Sequence, residues 1–147
     1  MPTYARGNLW AHQHDLTCIT TNAVTTRAGL VMGAGIAKQA ADDHPRLRFL
    51  AAHIIRQQPN PRHYGFLPLP NPLAPLALFQ TKDHFREPGS LELIQHSLEG
   101  LTAYALAHPE TRIALPYPGI GMGGLDPATV QPLLQTLPHN VIVWRLR

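Results

Sequence analysis

Short apolar runs and amphipathic stretches take turns along the chain. Leu16 to Thr21 alternates and is rich in β-branched residues, which predicts a strand. Leu76 to Lys82 predicts a second strand that ends on polar residues, and Arg112 to Pro116 and Val141 to Leu146 predict two more. Tyr4 to Trp10 reads as a first strand entering a turn at Gly7-Asn8, and Tyr64-Gly65-Phe66 as a short one. Between these runs the period changes to that of a helix. One helix is expected from about Gly35 to Asp43 and ends before His44-Pro45, because proline disfavours helix at the preceding residue. Another covers about Arg46 to Gln57, with Leu47, Leu50, Ala51 and Ile54 on one face. Ser90 reads as the N-cap of a helix through about Ala107, whose buried stripe is Leu91, Ile94, Leu98, Leu101 and Ala105. Pro127 suits the first turn of a last helix running to about Thr136. Val24 to Gly29 reads as a polar loop. Strands alternating with helices predict a three-layer α/β/α fold around a mixed, largely parallel sheet of about six strands.

Composition narrows the picture. A chain of 147 residues with 44% hydrophobic content can bury the core of one domain, expected to span residues 1–147. Fifteen prolines and eleven glycines are many, but below the share that suggests disorder. Six of the prolines lie between Pro59 and Pro75, which predicts an ordered, turn-rich excursion. No apolar run is long enough for a transmembrane helix, and the first residues lack the apolar core of a signal peptide. The single cysteine, Cys18, lies in an apolar strand and fits a reducing cytoplasm, the expected location. Nine histidines are dispersed without a cysteine-histidine cluster, so no metal and no cofactor are expected. A formal charge of +3 and a pI near 9.4 suit a polyanionic partner, although the basic residues form no stripe.

The candidate chemistry lies in two glycine loops. Met32-Gly33-Ala34-Gly35-Ile36-Ala37-Lys38 stands before a predicted helix and downstream of the Leu16–Thr21 strand. The first N–H groups of a helix lack internal partners and carry partial positive charge, and glycine lets an anion approach them closely. Pro118-Gly119-Ile120-Gly121-Met122-Gly123-Gly124-Leu125 has the same setting, between a strand and a helix. In open α/β sheets ligands bind at the carboxyl ends of the strands. Two such loops there could grip a diphosphate from opposite sides. The first loop has neither the Gly-Lys-Ser/Thr of a P-loop nor the full dinucleotide fingerprint.

In these motifs and their order the sequence resembles a macrodomain, the ADP-ribose-binding fold. The matching stretches are Gly7-Asn8-Leu9, Thr21-Asn22-Ala23-Val24, Met32-Gly33-Ala34-Gly35-Ile36-Ala37, Gln80-Thr81-Lys82, Leu115-Pro116 and Gly119 to Leu125. The Met-Gly-x-Gly-Ile-Ala form resembles the lysine-bearing branch, which includes DarG-type antitoxins acting on ADP-ribosylated DNA and the terminal ADP-ribose protein glycohydrolase. The resemblance implies that Gly33, Ala34, Gly35 and Ile36 form the first phosphate loop. It implies that Pro118, Gly119, Ile120, Gly121, Met122 and Gly123 form the second. Asn8 and Leu9 would meet the adenine, Asn8 standing where many macrodomains have an aspartate. Asn22 would bond the distal ribose or order the pocket. Tyr117, His84 and Thr25 are further candidates, His84 because imidazole exchanges protons near neutral pH. The stretch Thr25 to Leu30 looks longer than the family's, and the second loop lacks the aspartate that the protein glycohydrolase uses; Asp126 is nearby but displaced.

The branch's catalytic lysine falls on Lys82. Removing ADP-ribose breaks a glycosidic bond through an oxocarbenium-like transition state. An uncharged lysine could attack the anomeric carbon or condense with the opened sugar, and a charged one could assist the leaving base. The expected function is therefore an ADP-ribosyl glycohydrolase using Lys82 and Asn22, with modified DNA favoured over modified protein as substrate. The expected protein is a monomer whose implied partner is a cognate ADP-ribosyltransferase toxin. A non-catalytic ADP-ribose reader and a hydrolase of O-acetyl-ADP-ribose or of protein-glutamate ADP-ribose share the same loops and remain alternatives.

Overall fold

A computed structural model describes residues 1–146. The strands are β1 (Thr3–Arg6), β2 (Leu16–Thr21), β3 (Thr25–Thr26), β4 (Gly29–Leu30), β5 (Phe66–Pro68), β6 (Leu76–Gln80), β7 (Ile113–Pro116) and β8 (Val141–Arg145). The helices are α1 (Gly35–Asp43), α2 (Leu47–Arg56), α3 (Leu91–Ala107) and α4 (Pro127–Leu134). Six strands form one sheet in the order β1-β8-β7-β2-β6-β5, parallel except for β5, which runs antiparallel to β6.

Both faces of this sheet are covered, which is why its central strands read as nearly unbroken apolar runs. Cys18, Ala77, Phe79, Ile113, Leu115, Val141 and Val143 pack against Ile94, Leu98 and Leu101 of α3 and Val130 and Leu134 of α4. Ile19, Leu76 and Leu78 face the other way, toward Ala40 of α1 and Leu47, Ala51 and Ile55 of α2. The expected three-layer α/β/α arrangement is thus observed. No helix among the described residues is long and apolar enough to cross a membrane.

Four expectations need correction. Leu91, expected on the buried stripe of α3, is 40% exposed because it is the first residue after the Ser90 cap, and Leu93 and Ser97 complete the buried face instead. The first strand stops at Arg6, because Gly7 turns the chain at φ +127° and Asn8 caps a 3-10 turn over Leu9–Ala11 by accepting from the Trp10 amide. The short middle strand begins at Phe66, since Gly65 lies at φ +77° and Tyr64 points its hydroxyl into the end of β2. The polar loop after Asn22 contains the β3–β4 hairpin, which packs on α2. Gly29 permits that contact: a Cβ there would meet the Arg48 backbone at 2.5 Å.

Strand order also locates the crevice. The connection leaving β7 runs to β8 on one side, and the one leaving β2 runs past β6 to β5 on the other. Such a reversal opens a cleft at the carboxyl ends of the two strands. Here the β2–β7 register pairs Leu16 with Ile113 and Thr17 with Ala114, whereas β2 stays paired to β6 as far as Thr21 and Gln80. Pro116, at the end of β7, has no N–H to extend a ladder.

Candidate functional site

Most of the candidate residues lie at this rim because they follow the carboxyl end of a parallel strand. Asn8 and Leu9 follow β1, Asn22 follows β2, Lys82 follows β6 and the second glycine loop follows β7. The first glycine loop returns from the β3–β4 hairpin and opens α1.

That first loop exposes an uncapped helix start. Ala34 is the N-cap, in extended conformation and without a side-chain hydrogen bond. The first bond of the turn runs from the Lys38 amide to the Ala34 carbonyl at 3.2 Å, so the amides of Gly35, Ile36 and Ala37 come before the helical ladder. Gly33, Ala34 and Gly35 are exposed, and a Cβ added at Gly33 or Gly35 would have nothing within 4 Å. Gly35 has φ +57°, a conformation that suits glycine. Space and donors therefore coincide at this point.

The second loop is built more tightly. Gly121 to Gly123 form a 3-10 turn closed by Gly123 N to Ile120 O at 3.1 Å and Gly124 N to Gly121 O at 3.0 Å. Leu125 N donates to Gly119 O at 2.8 Å. Gly119 is a packing glycine: at φ +80°, an added Cβ would lie 2.7 Å from Ile94 and Leu125 side-chain carbons. Gly121 instead faces open space, and Met122 is 78% exposed. Asp126 caps α4 by accepting from the Ala128 amide at 3.0 Å. Pro118 is buried beside Tyr117, whose hydroxyl donates to Pro127 O at 2.8 Å. Arg145 lies over the Tyr117 ring, and burial raises the tyrosine's pKa. Tyr117 thus packs on the helix side of β7 and joins that strand to α4.

Asn22 is 8% exposed and holds the base of the hairpin. Its Oδ1 accepts from Val24 N at 2.9 Å, and its Nδ2 donates to Val31 O at 2.9 Å. Thr25, next in β3, pairs with Leu30. Below Asn22, Tyr64 donates to the Asn22 carbonyl at 2.7 Å and meets the Thr21 hydroxyl. Burial drives the Tyr64 pKa upward, against the opposing effect of the Thr21 bond, and keeps the phenol a donor.

The Lys82 loop is anchored from several sides. Ala23 N donates to Asp83 O at 2.9 Å, Ser90 N to Thr81 O at 2.8 Å and Gly89 N to Gly123 O at 2.7 Å. The loop thereby bridges the Asn22 segment and the second glycine loop. Gln80 is fully buried at its root: Oε1 accepts from Gly65 N at 3.0 Å, and Nε2 donates to Arg62 O at 2.6 Å and Lys82 O at 3.3 Å. Lys82 Nζ is half-exposed and donates to Phe85 O at 3.3 Å. His84 accepts the Arg86 amide on Nδ1 at 3.1 Å. Asp83 bonds the Arg62 guanidinium, and that bond lowers its pKa.

On the remaining side, Leu9 is buried against Ala114 and Trp144, with Trp10 and Ile36 packed beside them. Asn8 is exposed, and its Oδ1 is engaged by the Trp10 amide. Trp10 in turn donates from its indole to Gln39 Oε1 at 2.9 Å, tying this turn to α1.

Comparison with protein-family models and with curated proteins gives no match. Comparison with solved structures does. The macrodomain of Thermus aquaticus DarG superposes with a TM-score of 0.75 at 28% identity, over 100% of this chain and 98% of that one. The macrodomain of Mycobacterium tuberculosis DarG gives 0.77 at 24% identity, over 100% and 99%. The chain has the macrodomain fold and is similar to the macrodomains of DarG. A third match, Thermosipho africanus DarTG in complex with ADP-ribose, gives a TM-score of 0.78 at 19% identity. It covers 97% of this macrodomain and 41% of that longer chain.

Gln80 and Tyr64 hold the chain beneath Lys82 and Asn22, roles that no motif in the sequence assigns. Gln80 stands at the end of an otherwise apolar run, and a polar residue inside a buried strand was the available signal. Tyr64 gave no comparable signal, because its partner lies 42 residues away in sequence. Two surface depressions, around His63 and His96 and around His14 and Arg112, hold none of the candidate residues.

Proposed function

We propose that this macrodomain binds ADP-ribose and removes it from modified DNA. The observation that supports the reading is that a glycine loop follows β7, Asn22 follows β2 and Lys82 follows β6 at the same ends of three neighbouring strands, while the first glycine loop opens α1 with free amides. The amides of Gly35, Ile36 and Ala37 and the turn around Gly121 would grip the diphosphate. Asn8 and Leu9 would lie at the adenine end, and Lys82 with the Asn22 backbone at the distal ribose. There a lysine can stabilise or capture the anomeric carbon as the base leaves. A cognate ADP-ribosyltransferase toxin as partner follows from the likeness to DarG and to DarTG.

The test is a parallel incubation with ADP-ribosylated single-stranded DNA, an ADP-ribosylated protein and O-acetyl-ADP-ribose. Release of ADP-ribose from the DNA at a kcat/KM at least about tenfold above the other two supports the reading, a margin equal to ~1.4 kcal/mol of transition-state preference. ADP-ribose binding without any release would make the protein a reader, and a preference for the ester or the protein would reassign the substrate.

A further inference from the structure

The loop bearing Lys82 also bears a feature that ADP-ribose recognition does not use. Phe85 projects from it with 38% of its surface exposed. His84 stacks on the Phe85 ring, centroids 4.3 Å apart and planes inclined by 29°. The Arg86 guanidinium sits 5.6 Å from the ring centroid. Three successive side chains thus form an aromatic and cationic ledge on the surface.

The ledge is held in place rather than left to fluctuate. Glu87 N donates to His84 O at 3.0 Å and Arg86 N to His84 Nδ1 at 3.1 Å, so the segment folds back on itself. The Ala23, Gly89 and Gln80 bonds fix its two ends. Lys82 Nζ reaches the Phe85 carbonyl at 3.3 Å, which puts the ledge directly beside the amine. Charge favours an anionic strand. Both acids of the loop, Asp83 and Glu87, lie close enough to Arg62 for their charges to act on it, and Asp83 is bonded to it. Among the described residues the Arg86 guanidinium makes no ion pair and lies over the Phe85 ring.

We propose that Phe85 and Arg86 form a stacking and phosphate-contacting ledge for the single-stranded nucleic acid flanking the modified base. This rests on the proposed function and names how its substrate class is recognised. A modified base can reach Lys82 only outside a duplex stack, which leaves its neighbour's π-face uncovered. An aromatic ring receives such a face whatever the base, and an adjacent arginine adds cation–π and phosphate contacts.

The test measures binding in proteins that all carry Lys82→Ala, so that the probe persists. The probe is a fluorescent single strand of about 12 nucleotides, within the span such surfaces cover, carrying one ADP-ribosylated base. Free ADP-ribose is titrated separately. The parent is expected to bind the probe at least about tenfold more tightly than ADP-ribose, and Phe85→Ala or Arg86→Ala to remove about tenfold of that gain. Phe85→Tyr should keep the gain, and affinity for ADP-ribose should not change in any of the three. A parent that binds the probe no better than ADP-ribose overturns the proposal, as does an equal loss for both ligands. An ADP-ribosylated peptide showing the same Phe85-dependent gain would also overturn it, because the ledge would then not be reading nucleic acid. A parent that fails to bind ADP-ribose at all removes the proposed function and this inference together, whereas binding without the gain removes this inference alone.

Discussion

At the scale of single residues, the side chains at this rim divide by what they already hold. Asn22 has both its amide oxygen and its amide nitrogen bonded to backbone, at Val24 and Val31. Its first work is to fix the hairpin base and, through that, the wall next to Lys82. Asn22→Ala would leave the half-buried Val24 amide and Val31 carbonyl without these partners, at a cost of about 1–2 kcal/mol. Urea unfolding should show that loss, and turnover should fall with it while ADP-ribose binding weakens less. A variant as stable as the parent would show that these bonds do not hold the hairpin. Gln80 and Tyr64 work one step further back, beneath Lys82 and Asn22, and touch only protein. Their roles were hidden in sequence because a hydrogen bond to a distant backbone group leaves no local pattern. The motif residues were legible for the opposite reason: Gly35 and Gly119 occupy left-handed conformations that strongly favour glycine, so the backbone need of each loop is written into the loop itself.

At the scale of elements, helix α1 trades stability for an open end. A serine, threonine or aspartate at Ala34 would satisfy an amide of the first turn, and alanine does not. Ala34→Asp should therefore stabilise the fold by about 0.5–2 kcal/mol in urea unfolding and weaken ADP-ribose binding in calorimetry by about tenfold or more, since its carboxylate would occupy the anion's donors. Stabilisation with unchanged affinity would mean that the diphosphate does not sit at this helix. The helices and parallel strands were readable because each buries a stripe or a whole run of apolar residues. The elements misread, at Gly7, Gly65 and the β3–β4 hairpin, are those where a glycine turn or packing on α2 decides the geometry. A two-residue strand such as β3 carries no periodicity to detect.

At the scale of the molecule, one topological fact organises the rest. The chain reverses direction of travel between β7 and β2, and both glycine loops and the Lys82 loop are delivered to that place. Hydrophobic alternation predicts the layers but not the strand order, so the crevice becomes definite only when β2 is seen to pair with β6 on one side and β7 on the other. The same rim carries the exposed Phe85–Arg86 ledge, so that in the proposed reading one surface has a sugar-diphosphate end and a strand-facing end. The central claim joins these two ends at Lys82, and it is tested most directly by comparing wild type with Lys82→Ala on ADP-ribosylated single-stranded DNA, with ADP-ribose binding measured on both proteins. The account predicts that the variant loses at least about a thousandfold in turnover, ~4 kcal/mol of transition-state stabilisation, while binding ADP-ribose within about threefold of wild type. Turnover of the modified strand by Lys82→Ala at the wild-type rate would contradict it.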